Sequence, residues 1–148
     1  MKPLIVLLIS FGFAILSIKI FTRHNDFALA ARIAMSLMLL FTASGHFAFP
    51  RGMTMMMPAF IPFRLALVYI TGMIEILADI GLQIESLKNL TAVLLIIFFI
   101  LVLPANIYAA VKHIDYQKVG NNGKGLYYLW FRIPLQILFI IWTWMSTR

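Results

Sequence analysis

The sequence predicts an all-α, polytopic membrane protein, and three observations carry that expectation. Of its 148 residues 63% are hydrophobic and 11% charged, with a mean hydropathy of +0.98, far from the usage of soluble domains. Five apolar stretches approach the roughly 20 residues that a helix needs to cross about 30 Å of hydrocarbon. These stretches are continuous and rich in Leu, Ile, Met and Phe, whereas a barrel would show short alternating segments with a polar inner face.

The first stretch, Pro3–Phe21, follows Met1-Lys2 and has the outline of a signal peptide. No small-x-small cleavage site follows it, and Lys19, Phe21 and Arg23 come next, so a retained helix is expected. After the connection Thr22–Phe27 comes the second helix, Ala28–Phe49, whose Ala28, Ala30, Ala31, Ala34 and Gly45 permit close approach of another helix, including one from a second copy. It ends in Gly45-His46-Phe47-Ala48-Phe49-Pro50. The connection Pro50–Pro62 carries Met53, Met55, Met56 and Met57 between prolines and is expected in the membrane interface. Converging Met sulfurs ligate Cu(I), but Met is also an adaptable apolar filler, and the filler reading is the one adopted.

The third helix, Phe63–Ile84, holds Glu75 and Asp79, which are four apart and share a face. Charges in hydrocarbon cost several kcal/mol, so such groups face the bundle interior and find partners. Counting rise from Pro62 places Glu75 near mid-membrane and Asp79 roughly 6 Å nearer the opposite surface. The connection Gln83–Asn89 leads to the fourth helix, Leu90–Val111, with Pro104 and Asn106. Pro104 frees a backbone carbonyl about one turn earlier, which Asn106 or another polar group can satisfy, and a kink there would widen a pocket.

The last connection, Lys112–Gly125, is rich in Gly and Asn, and the fifth helix, Leu126–Met145, carries Arg132 and Gln136 four apart. Depth pairs Glu75 with Arg132 or Gln136, and Asp79 with Arg32 as a structural ion pair; His46, Glu75, Asn106, Arg132 and Gln136 are the candidate pocket residues. The plain alternative is interhelical glue, worth about 1 kcal/mol or less per residue. His24 and His113 fall in connections and receive no role.

The net charge of +7 would suggest nucleic acid in a soluble protein, but the basic residues lie mainly at helix ends and in loops, where they face lipid head groups. Lys2, Arg51, Arg64, Lys112, Lys118 and Lys124 lie on one face and Lys19, Arg23, Arg32, Lys88 and Arg148 on the other. That six-to-five bias points to a cytoplasmic N-terminus. The location expected is the bacterial inner, or plasma, membrane.

With no Cys there is no thiol chemistry, disulfide or thiolate ligation. Phosphate-loop, His-x-x-x-His and Gly-x-Ser-x-Gly patterns are absent, so no metal site is assigned. Glu75 and Asp79 on one helix are a weak general acid/base signal, because such pairs usually come from separate elements. No linker or repeat divides the chain, which reads as one transmembrane domain over 1–148.

The strings GHFAFP, MMMPAFIP, YITGMIEILADIGL, LPANIYAA and FRIPLQ, in this order within Ala31–Trp144, resemble the DoxX-like family of small membrane proteins. The resemblance implies a four-helix transmembrane bundle, here with one additional N-terminal helix, and matches His46, Glu75, Asn106 and Arg132 to the family's polar motif positions. Family members are associated with quinone-linked sulfur oxidation, with complexes that resist oxidative stress and with receptor assembly, roles that share a fold and not a mechanism. The extra helix and the lack of Cys are departures, and the latter puts a thiol-linked role in doubt.

The expectation is therefore an accessory membrane protein, more a binder than an enzyme on its own. Its polar-lined intramembrane pocket would take a small amphipathic ligand or a partner subunit's transmembrane helix. One alternative is a quinone-interacting subunit of an oxidoreductase, with His46 or Arg132 bonding a quinone carbonyl while another subunit supplies the redox centre. Another is a proton-coupled transporter using Glu75 and Asp79 as a relay, for which the chain is small and inverted repeats are not evident.

Overall fold

The structure is a computed structural model that describes residues 2–23 and 25–148; Met1, which precedes the first stretch, and His24, read above in the first connection, lie outside them. The elements are α1 (Lys2–Thr22), α2 (Phe27–Ala48), α3 (Pro50–Met55), α4 (Arg64–Gln83), α5 (Lys88–Val111) and α6 (Leu129–Ser146), with a 3-10 turn over Gly125–Tyr128 leading into α6. Five are long and apolar enough to cross a membrane: α1, α2, α4, α5, and α6 together with its leading turn.

Local chemistry explains the boundaries. Asp26 caps α2, its carboxylate accepting from the Leu29 N–H at 2.9 Å. At the other end Phe49 precedes a proline, which disfavours helical backbone, and Phe49 leaves the helix with φ −126°. Pro50 then starts α3 at a position where a missing N–H costs nothing. This short helix replaces the first part of the expected Pro50–Pro62 loop. Within it Met53 packs its methyl against Gly45, so at least one Met acts as filler between α2 and α3.

The 112–125 connection is folded down on α3. Asp115 and Gly120 exchange backbone hydrogen bonds, and the Asp115 carboxylate accepts from the N–H groups of Gln117 and Lys118. Gly52 touches its backbone: a Cβ there would lie 1.7 Å from the Tyr116 carbonyl oxygen, so only glycine fits. Phe49 meets the Tyr116 ring edge-on at 6.3 Å.

Helix α2 packs against α1, α4 and α6, while α5 packs against α4 and α6. Leu7, Met35, Met38, Leu39, Leu82 and Leu95 form the fully buried centre, with Phe99 and Phe139 alongside. Since lipid is as apolar as Leu, such packing holds the helices by close contact rather than by expulsion of water. Ala30 and Ala34 are completely buried against the chain's own helices. Helix α1 is bound in by Leu7 and by Phe11, whose ring meets Trp142 at 4.9 Å, while the Trp142 indole N–H donates to the Ala31 carbonyl at 3.0 Å.

Candidate functional site

Val68, Thr71, Gly72 and Glu75 recur at three- and four-residue intervals, so they share the face of α4 that meets α2. Gly72 sets the distance between the helices. A Cβ there would fall 2.9 Å from the His46 Cβ and 3.1 Å from the Phe47 ring, so its absence lets His46 lie flat against α4.

The His46 imidazole is held on both sides. Its Nδ1 lies 3.0 Å from the Val68 carbonyl oxygen and 3.0 Å from the Thr71 hydroxyl, and its Nε2 lies 3.6 Å from Glu75 Oε1. With a neutral imidazole, two proton arrangements fit this geometry. Either Nδ1–H donates to Val68 and Nε2 faces a protonated Glu75, or the Thr71 hydroxyl donates to Nδ1 and Nε2–H points at the carboxylate. In both, the second carboxylate oxygen, Oε2, is buried without a hydrogen-bond partner, in a side chain only 8% exposed. Buried polar atoms are nearly always paired, so this oxygen, like Arg32 Nε and Asn106 Oδ1, which are also buried without a partner, calls for a physical reason.

The other expected pocket residues do not join this pair. Gln136 donates from Nε2 to the Phe99 carbonyl at 2.8 Å, next to Ile100, whose carbonyl Pro104 cannot bond; it is the polar group that steadies the proline region of α5. The Arg132 guanidinium sits over the Tyr128 ring at 5.8 Å. Asn106 is buried on α5 with its Oδ1 unpartnered. The packing order explains the separation: α4 and α6 each contact α2 and α5 or α5 and α2 as neighbours and stand across the bundle from one another. Glu75 therefore meets His46 on α2 in place of Arg132 or Gln136 on α6.

The expected Arg32–Asp79 ion pair is corrected. Arg32 Nη1 lies 3.1 Å from Glu85 Oε2, and Lys88 Nζ also bonds the Glu85 carboxylate. Asp79 contributes its backbone carbonyl, which accepts from the Ser36 hydroxyl at 3.2 Å; that hydroxyl in turn accepts from Gln83 Nε2 at 2.7 Å. Arg32 reaches past the end of α4 to the exposed carboxylate of Glu85, a cheaper solution than ionising Asp79 within the apolar helix. Hydrogen bonds from Lys88 and then Arg32 hold the Glu85 carboxyl below the usual carboxylate range. Glu85 escaped the sequence reading, although it is the one acid in the Gln83–Asn89 connection and lies on the face that carries Arg32 and Lys88.

Two cavities lie elsewhere. A groove of about 430 Å³ between α5 and α6 is walled by Val93, Ile96, Ile97, Ile140, Ile141 and Trp144. It meets a second, of about 370 Å³, bounded by Asn89, Ala92, Val93, Trp144, Thr147 and Arg148. None of His46, Glu75, Asn106, Arg132 or Gln136 lines either. Among the described residues no group of three His, Asp or Glu side chains is placed to hold a metal ion.

A family described as a domain of unknown function, DUF8561, matches residues 35–147, from within α2 to just past the end of α6. No curated protein and no solved structure matches the chain.

Proposed function

The chain belongs to the DUF8561 family, and from the geometry of its buried acid we propose that it is an accessory, non-catalytic membrane protein of DoxX-like type whose His46–Glu75 pair holds the polar head of a small amphipathic ligand. In this reading α2, α4, α5 and α6 form the bundle, α1 is an addition on the outer side of α2, and the protein resides in the bacterial inner membrane with its N-terminus in the cytoplasm.

The observation that carries the proposal is the unpartnered Oε2 of Glu75. An unsatisfied buried acceptor costs about 1–3 kcal/mol, more when charged, and a ligand O–H or N–H removes that cost. The 3.6 Å gap between His46 Nε2 and Oε1 is also longer than a direct hydrogen bond and suits a donor that bridges the two. The ligand arrives from the lipid through the α2–α4 seam, where Phe47 and Tyr69 stack at 5.8 Å and must part. Apolar helix walls supply affinity and the pair supplies orientation.

The same pair favours a second reading. A quinol carries two O–H donors and an apolar tail, so a quinone-interacting subunit, working beside a subunit that holds the redox centre, has the same requirement for an acceptor beside an imidazole. Mass spectrometry of the lipid and quinone fraction released from gently purified protein tests both. An enriched small amphiphile in wild type, lost in Glu75→Gln and His46→Ala, supports the site, and its identity decides between the readings. The same bulk lipid from all three proteins overturns the binding proposal in favour of polar residues acting only between helices.

A further inference from the structure

The α5–α6 groove is separate from the His46–Glu75 seam, and its chemistry differs. Its walls are aliphatic side chains and one face of Trp144, open to the lipid side. The adjoining cavity shares Val93 and Trp144 with it and adds Asn89, Thr147 and Arg148. From Asn89 to Ile97 along α5, the two together span about 12 Å at helical rise. The result is one channel, apolar along its length and polar at its mouth.

The charge at the mouth is specific. Arg32 and Lys88 are both engaged by Glu85, whereas Arg148 makes no ion pair among the described residues. Its guanidinium is instead laid over the Trp144 ring at 4.2 Å, which fixes a cation where the apolar channel begins. Helix α5 opens beside it at Lys88 with no side-chain cap, so first-turn N–H groups add to the positive potential. Trp at such a boundary is the usual marker of the head-group level of a bilayer.

We propose that this channel seats one acyl chain of an anionic membrane phospholipid, with the lipid phosphate held by Arg148 and Asn89. A single acyl chain suits an open, aliphatic groove of about 430 Å³, which lies within the usual range of ligand sites. The occupant is an anion because the Arg148 guanidinium is paired with no acidic side chain among the described residues, and a phosphate accepts the forked donors of a guanidinium.

The test is native mass spectrometry of the full chain, exchanged into mixtures of phosphatidylglycerol and phosphatidylcholine, with Arg148→Gln and the groove-filling Val93→Phe. Val93 faces outward at 45% exposure, so the larger ring enters the groove and not the core. Wild type retains phosphatidylglycerol over phosphatidylcholine by about fivefold, the effect of one basic residue at a membrane surface. Arg148→Gln abolishes the preference but still retains lipid, and Val93→Phe retains neither. Retention without headgroup preference in wild type, or a preference that survives Arg148→Gln, overturns the proposal. So does retention of inorganic phosphate by wild type in place of the lipid, or a Val93→Phe effect that disperses a dimer and releases no lipid. Glu75→Gln loses the seam ligand but keeps this phospholipid, so the two proposals fail separately.

Discussion

At one end of the α2–α4 seam Arg32 meets Glu85 just past the end of α4, with Lys88 on the same carboxylate and Ser36 and Gln83 bonded nearby. Further along, His46 meets Glu75 inside the bundle, and one carboxylate oxygen is left with nothing. Both are acid–base contacts made by α2, the first with the connection that follows α4 and the second with α4 itself. The first can draw on water, since the Glu85 side chain is 74% exposed, whereas the second cannot, since that of Glu75 is 8% exposed. The Arg32–Glu85 pair is not complete either, since Arg32 Nε is also buried without a partner; what sets Glu75 apart is that its missing bond falls on a carboxylate oxygen shielded from solvent beside an imidazole.

The comparison breaks most readily at Gly72. Gly72→Leu drives a side chain into His46 and Phe47, and should destabilise the fold by about 3 kcal/mol, the upper end of ordinary overpacking. Thermal melts in detergent measure it, and an unchanged melting temperature would mean that α2 does not lie against α4 here. His46→Ala removes the imidazole that faces Glu75 Oε1 and should cost about 1–3 kcal/mol, the penalty for an unsatisfied buried group. Gln136→Leu removes only the bond to the Phe99 carbonyl, for a loss near 1 kcal/mol in the same melts.

The smallest effect belongs to Glu85→Gln, because exposed pairs are screened by water and salt. Its pH dependence sharpens the contrast. Lys88 and Arg32 lower the Glu85 pKa, so the stability it adds is present above the ordinary glutamate value of about 4.3 and is lost as the pH falls through the lowered one. Wild type should therefore melt slightly above Glu85→Gln at neutral pH and together with it in strong acid. A difference that persists in acid would show that Glu85 acts by packing.

The long helices were legible because hydrocarbon thickness and apolar run length are directly coupled. The stretch read as Ala28–Phe49 is Phe27–Ala48, and Phe63–Ile84 is Arg64–Gln83. The last helix starts later, at Leu129, because Gly125–Tyr128 winds as a 3-10 turn first. Helix α3 was hidden by its six residues and flanking prolines, although Pro50 at its first position was a usable signal.

Within the site, depth counting put Glu75 and His46 in the candidate group, since rise per residue fixes height. It did not fix azimuth, and so it offered Arg132 as a partner although α6 stands across the bundle from α4. The Arg32 partner failed for a related reason: a loop carboxylate two residues past α4 folds back to the rim, which counting along a straight helix does not reveal.

The most direct test of the account is the melting temperature of delipidated Glu75→Leu beside wild type treated in the same way. Replacing a buried acceptor that lacks a partner with an apolar side chain removes a cost and leaves His46 bonded through Nδ1 to Val68 and Thr71. The account predicts that Glu75→Leu melts at or above wild type while losing the bound amphiphile. A variant that melts well below wild type, or one that keeps the amphiphile, would contradict it and return Glu75 to the class of residues that merely join helices.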